Sequence, residues 1–189
     1  MIPQESLSTG TSLRILIPLI LVLCVVAVTL KRIQTEQIQS AHRILPIKFL
    51  ITILLGIYFL IYIHLTFTYR HPSEAASMNL KPLWSYLEAF QLNPLKIIRL
   101  GLARQILLNV FLTIPLGLLL PVLYDQAKHP YLLTILTALV LSILTETVQY
   151  ITHRGLCETD DVINNLIGCL LGIVILIIGS RLIGKRTDR

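Results

Sequence analysis

The chain is poor in charged residues and in cysteine. Only 14% of its 189 residues are Asp, Glu, Lys or Arg, and three are cysteine. An ordinary soluble domain carries about 25% charged residues, so the composition argues against that class of protein. The three cysteines show no CxxC or Cys/His ligand spacing, which argues against a disulfide framework and a structural zinc site. We expect no metal and no cofactor.

Apolar residues, in contrast, make up 54% of the chain, and its mean hydropathy is +0.77. A helix that spans a bilayer needs about 20 mostly apolar residues. Uncharged runs of about this length predict five transmembrane helices, at Ile15–Leu30, Phe49–Tyr69, Gln105–Tyr124, His129–Thr145 and Val162–Ser180. The sequence therefore predicts an all-α membrane protein without room for a separate soluble catalytic domain.

The connections between these runs predict how the helices are arranged. The long connection Arg70–Arg104 and the polar connection Thr152–Asp161 are separated by two spans, so they lie on the same side of the membrane. Asp125–Lys128 is short enough to make the third and fourth helices an antiparallel hairpin. The spacing of Leu83, Leu87 and Phe90 predicts a short interfacial helix between the second and third spans, and Trp84 and Tyr86 suit that location.

The net charge of +6 comes from Lys and Arg in these connections, which is typical of membrane-flanking segments and not of a nucleic-acid partner. Their distribution favours an N-terminus outside and a C-terminus in the cytoplasm of a multi-pass cell-membrane protein. We divide the chain into a two-helix region, residues 1–69, and a membrane domain, residues 70–189, with the interfacial segment, three spans and a basic tail.

Glu146 is the clearest polar signal inside an apolar run, because a carboxylate near a helix centre costs roughly 2.5–3.5 kcal/mol on insertion scales. It shares a face with Gln149, and a small and polar stripe continues along the same helix through Thr134, Ala138, Ser142 and Thr145. Glu146 is then either a functional group facing protein or water, or part of a polar packing seam with a basic partner such as Arg104.

The fifth span begins with acidic residues and continues with amides and glycines. We interpret Asp160 as a cap for the N-terminus of that helix. Gly168 and Gly172 form a G-x-x-x-G pattern that permits close helix packing. Asp161 and Asn165 lie on the same face as these glycines, and both a capping role and a functional role stay open for them. In the third span, Asn109 could orient a carboxylate of a neighbouring helix.

Taken together, these motifs resemble the VanZ-like family over roughly half of the chain. The resemblance rests on Asn79-Leu80-Lys81-Pro82-Leu83, on Arg104 with the run from Asn109 to Leu118, on Glu146-x-x-Gln149, and on Gly155-x-x-Glu158-x-x-Asp161 followed by Asn165-x-x-Gly168. Glu158 departs from the aspartate usual in the family, and Leu83 from a common aromatic. The resemblance implies a multi-pass membrane protein, mainly of Gram-positive bacteria, whose namesake raises resistance to teicoplanin.

These residues support two functional hypotheses. The first is a binding module for a lipid-linked cell-wall precursor or another amphiphilic envelope molecule, such as a lipoglycopeptide. Membrane lipids would surround it, and the residues of the site would be Asn79, Pro82, Arg104, Asn109, Glu146, Gln149, Glu158, Asp161 and Asn165. In this hypothesis they would form a polar cavity at the outer interface, in which Arg104 would meet an anionic head group.

The second hypothesis is an intramembrane enzyme that acts on a lipid-linked precursor. Glu146 would be the general acid or base, and Glu158 and Asp161 would hold a divalent cation through oxygen ligands. Glu146 and Asp161 are the catalytic candidates. The sequence shows no obvious nucleophile, so we favour the binding module.

Overall fold

A computed structural model of the chain describes residues 41–68, 77–90 and 96–184. Its helices and strands follow in the order α1 (Ala41–Ile63), a π-helical turn (His64–Thr68), β1 (Ser77–Asn79), α2 (Trp84–Phe90), α3 (Lys96–Leu123), α4 (Pro130–Thr152), β2 (Leu156–Glu158) and α5 (Thr159–Gly184). The first predicted span, Ile15–Leu30, lies outside the described residues.

Four helices of the described part are long and apolar enough to cross a membrane. Their spanning segments are Lys48–Phe67, Gly101–Leu123, Pro130–Thr152 and Thr159–Leu182. They confirm an all-α membrane protein and correspond to the last four predicted spans. The charge of Glu146 predicted that the fourth span ends at Thr145, but α4 continues to Thr152. The longer helix is possible because Glu146 and Gln149 are buried against protein and do not face lipid.

The most extensive helix interface joins α3 and α5, and glycines set its close approach. A Cβ atom on Gly168 would overlap the carbonyl oxygen of Val110 and the hydroxyl of Thr113, and one on Gly117 would overlap the carbonyl oxygen of Cys169. Backbone therefore lies directly against backbone. This confirms the packing role predicted from the G-x-x-x-G pattern.

Tyrosine hydroxyls attach α1 to this pair of helices and to α4. Tyr58 donates a buried hydrogen bond of 2.9 Å to the carbonyl oxygen of Leu112, and the hydroxyl oxygens of Tyr62 and Thr145 lie 2.9 Å apart. A buried hydroxyl needs such a partner in an apolar environment. The two hydroxyls therefore fix the position of α1 relative to α3 and α4.

An ion pair joins α1 to the α3–α4 connection. Lys48 Nζ lies 2.7 Å from Asp125 Oδ1. Burial opposes ionisation of Asp125, but the hydrogen bond and charge of Lys48 outweigh it and hold its pKa below the ordinary value. This ion pair lies at the end of the bundle opposite β1 and β2.

At the other end, β1 and β2 form a two-stranded parallel ladder. Ser77 pairs with Leu156, Met78 with Cys157, and Asn79 with Glu158. The ladder joins the long connection to the polar connection, which confirms that both lie at the same end of the bundle. These two short strands are an addition to the all-α architecture that the sequence predicts.

Candidate functional site

The buried face of α4 carries the polar stripe. Its buried residues are Thr134, Ala138, Ser142, Thr145, Glu146 and Gln149, which are the positions predicted from the spacing. Glu146 is 5% exposed, and its Oε2 accepts a 2.9 Å hydrogen bond from the backbone N–H of Glu158. The carboxylate of α4 thus holds the end of β2, where α5 begins.

Arg104 is not the basic partner of Glu146 that the packing-seam interpretation required. It is half-buried and makes no hydrogen bond or ion pair within the described residues. Arg104 lies one position before Gln105 on α3, so its side chain leaves the helix about 100° away from the side that contacts α5. That part of the prediction is wrong.

Glu158 is a buried carboxyl group whose ionisation is opposed by its surroundings. It is 2% exposed, and its Oε2 accepts a hydrogen bond from Gln105 Nε2. Burial and the charge of Asp161 raise the pKa of Glu158 to about 7, while the Gln105 hydrogen bond opposes the rise. The indole N–H of Trp84 makes a smaller contribution that also lowers the pKa of this carboxyl group. Glu158 can therefore exchange a proton near neutral pH.

Gln105 joins the carboxylates of β2 and α5, and sequence reasoning missed it. Its Nε2 also lies 3.2 and 3.3 Å from the two carboxylate oxygens of Asp161. Gln105 precedes Asn109 by four residues, so the two lie one above the other on α3. That spacing is the signal that could have identified it.

Asp160 caps the start of α2 and not the start of α5, the helix to which it belongs. The prediction of a cap is therefore correct in kind but wrong in the helix that is capped. Its carboxylate accepts hydrogen bonds from the backbone N–H of Leu83, from the backbone N–H of Ser85 at 2.8 Å and from the Ser85 hydroxyl at 2.6 Å. Leu83 has a φ of 62°, a left-handed conformation that Asp160 helps to hold. Asp160 therefore fixes α2 over the start of α5.

A second contact between α2 and α5 lies one turn deeper. The Tyr86 hydroxyl donates to Oδ1 of Asn164, which is fully buried. Burial and the charges of Asp160 and Asp161 raise the pKa of Tyr86, so the hydroxyl stays protonated and can donate. Sequence reasoning missed Tyr86 and Asn164, since a neutral polar pair near an interface gives no strong sequence signal.

Asn165 lies on the other side of α5 and reaches α4. Its Nδ2 donates a buried hydrogen bond of 2.7 Å to Ser142 Oγ. The site therefore joins α3, α4 and α5 under α2. We call these buried or half-buried residues the polar cluster: Gln105, Asn109, Glu146, Gln149, Glu158, Asp160, Asp161, Asn164 and Asn165.

The polar cluster contains polar atoms that are buried without a hydrogen-bond partner. They are Nδ2 of Asn109, Oε1 of Gln149, Oε1 of Glu158 and Nδ2 of Asn164. The side chains of Asn109 and Gln149, 9% and 2% exposed, form no hydrogen bond within the described residues. More than 90% of buried polar groups in folded proteins have partners. These atoms have an unused capacity to form hydrogen bonds with water or with polar atoms of a ligand.

Besides Arg104, two predicted site residues lie outside this cluster. The side chain of Asn79 accepts a 3.2 Å hydrogen bond from the backbone N–H of Lys81, which stabilises the local turn. Pro82 is exposed in the same turn. The backbone of Asn79 still pairs with Glu158 in the ladder, so this segment positions the cluster without adding a side chain to it.

In the described part of the chain, no group of three His, Cys, Asp or Glu side chains is arranged to hold a metal ion. Glu158 and Asp161, the cation ligands of the enzyme hypothesis, instead share the side-chain amide of Gln105.

A profile of the VanZ/LLP1 family matches residues 49–180. The chain belongs to the VanZ/LLP1 family. The match contains the whole polar cluster, and it includes most of α1 as well as the residues from Asn79 onward that carry the resemblance in sequence. Neither a curated protein nor a solved structure matches the chain.

Proposed function

We propose that this VanZ/LLP1-family membrane protein binds the polar head of an amphiphilic cell-envelope molecule, such as a lipid-linked precursor, in the polar cluster. By binding it, the protein would lower the access of a teicoplanin-type lipoglycopeptide to its target. The observation that carries the proposal is the set of unpaired polar atoms in a buried cluster at one end of the membrane bundle. Intramembrane ionisable groups are functional by default, which supports the same site.

An amphiphile suits this position because apolar side chains are exposed around the cluster. Leu80, Leu83 and Leu87 of the β1–α2 segment are 64%, 51% and 61% exposed, and Ile151 near the end of α4 is 69% exposed. Exposed apolar patches of this kind mark lipid or ligand contacts. The head group would enter the cluster while an acyl chain lies along these residues.

We further propose that the polar cluster lies at the outer face of the cell membrane. The Lys48–Asp125 end would then face the cytoplasm, together with the basic C-terminal residues. This orientation agrees with the preference of Lys and Arg for cytoplasmic connections. It also places the cluster on the side from which a lipoglycopeptide arrives.

The proposal is tested by teicoplanin susceptibility of a Gram-positive host that expresses the wild type, Glu146→Gln or Asp161→Asn. Thr134→Val is the matched control, because Thr134 is equally buried on α4 but bonds to Pro130 far from the cluster. We expect protection by the wild type and the control, and loss in both cluster variants at equal membrane levels. Equal protection by all four proteins would refute the role of the cluster.

A second candidate function is acid–base catalysis on a lipid-linked precursor. The pKa of Glu158, about 7, favours it, because general acid–base catalysis is most effective with a group that titrates near the working pH. Purified protein incubated with a lipid-linked precursor separates the two functions. Turnover that is lost in Glu158→Gln supports catalysis, and binding without turnover supports the binding module.

A further inference from the structure

We infer that the head group bound in the polar cluster is uncharged and rich in hydroxyl groups, as in a glycosyl or glycerol head. This inference rests on the proposed function and names the chemistry of its ligand. It follows from which polar atoms of the cluster lack partners and from the charges that surround them.

The unpaired atoms include both donors and acceptors. Nδ2 of Asn109 and Nδ2 of Asn164 are donors, while Oε1 of Gln149 and Oε1 of Glu158 are acceptors. A hydroxyl group donates one hydrogen bond and accepts two, so a few hydroxyls can pair with all four atoms. An ammonium group has no acceptor and would leave the two amide donors unpaired.

An anionic head group does not suit the same atoms. The charges of Asp161 and Asp160 already oppose ionisation of Glu158, and a further negative charge beside Glu158 would be unfavourable for the same reason. Glu158 and Asp160 accept their hydrogen bonds from neutral donors, Gln105 and the Leu83–Ser85 segment. Arg104 lies off the face of α3 that carries Gln105 and Asn109, so an anion at Arg104 would bind beside the cluster.

The unpaired atoms all lie at the same end of the bundle. Asn109 lies one turn deeper than Gln105 on α3, and Asn164 lies one turn deeper than Asp160 on α5. Gln149 lies one turn from Glu146 on the buried face of α4. Glu158 stands at the junction of β2 and α5, so three helices and one strand contribute to the same end of the bundle.

The test measures binding of three octyl amphiphiles to the full chain in phospholipid nanodiscs by isothermal titration calorimetry. The probes are octyl glucoside, octylammonium and octyl phosphate, each below its micelle concentration. We expect octyl glucoside to bind at least tenfold more tightly than the other two. Tight binding of octylammonium or octyl phosphate that requires Gln149 would overturn the head-group inference but keep the proposed function.

Two substitutions assign the binding to the cluster. Gln149→Met and Asn109→Leu remove unpaired amides, so we expect them to weaken octyl glucoside binding at least tenfold without lowering the midpoint of thermal unfolding. Thr134→Val should bind like the wild type. If no amphiphile binds, or if the variants bind glucoside as the wild type does, both the inference and this ligand site are refuted. A lowered unfolding midpoint in both variants would assign the amides a structural role and also overturn the inference.

Discussion

Glu158 should destabilise the folded protein at alkaline pH, and replacing it should remove that effect. Burial and the charge of Asp161 raise the pKa of its carboxyl group from 4.5 to about 7. At 1.36 kcal/mol per pH unit, this change corresponds to roughly 3 kcal/mol of unfavourable ionisation. The folded state binds this proton more tightly than the unfolded state, so the contribution of Glu158 to stability is greatest below pH 4.5 and falls as the pH rises through about 7.

Glu158→Gln removes the charge but weakens the hydrogen bond from Gln105, which is worth about 1 kcal/mol. We therefore expect the variant to be more stable than the wild type by about 2 kcal/mol at pH 8, and no more stable at pH 4.5. Glu88→Gln is the matched control, since Glu88 lies on α2 outside the polar cluster. We expect the control to change stability by no more than a few tenths of a kcal/mol.

The assay is thermal unfolding in detergent micelles between pH 4.5 and 8, followed by tryptophan fluorescence. Trp84 is the single tryptophan of the chain and acts on the Glu158 carboxyl group, so its emission should also titrate near pH 7 in the folded wild type. Two results would refute the reasoning. One is a wild-type stability that does not fall between pH 4.5 and 8, and the other is a fluorescence titration that persists in Glu158→Gln.

Three other predictions test the packing, the cap and the topology. Gly168→Ala should lower the free energy of unfolding by about 1–3 kcal/mol, because the added Cβ atom would overlap the backbone of Val110. Gly56→Ala is the control and should cause no such loss, because the space around Gly56 is open. Equal losses in the two variants would contradict the close-packing argument. Asp160→Asn should weaken the hydrogen bonds that Asp160 accepts from Leu83 and Ser85, and should therefore speed proteolysis of residues 77–90. An unchanged rate of cleavage would show that this cap is dispensable. Cys157 should react with a membrane-impermeant maleimide on intact cells, and labelling only after lysis would reverse the proposed orientation. The reaction should be faster at pH 9 than at pH 7, because burial and nearby carboxylates raise the pKa of the thiol.

The helices were predictable because membrane spans depend on local composition. Within the described residues, each apolar run of sufficient length forms a helix long enough to span a membrane, and the stripe on α4 follows from helical spacing alone. The ladder between β1 and β2 was not predictable, since three residues per strand are too few for a sequence signal. Such a pairing depends on which distant segment the helices bring alongside.

The site was predictable where it carries charge and unpredictable where it is neutral. Glu146 and Asp161 stand out because a carboxylate in or beside an apolar run is costly. Gln105 and Asn164 form hydrogen bonds in the same network, but amides near a helix end are common and give no strong signal. Arg104 was misassigned because helical spacing shows which residues share a face of a helix but not which neighbouring helix that face contacts.

The attachments of α2 indicate how a ligand reaches a cluster that is almost fully buried. α3 and α5 lie backbone to backbone at Gly168, so the base of the site cannot open without breaking that interface. α2 has only seven residues, and its contacts with α5 include the carboxylate of Asp160 and the amide of Asn164. Elements with few buried apolar contacts open at the lowest free energy. We therefore expect entry of a head group to displace α2. Hydroxyl groups of the ligand can then form the hydrogen bonds to Asn164 and Asp160 that Tyr86 and Ser85 lose.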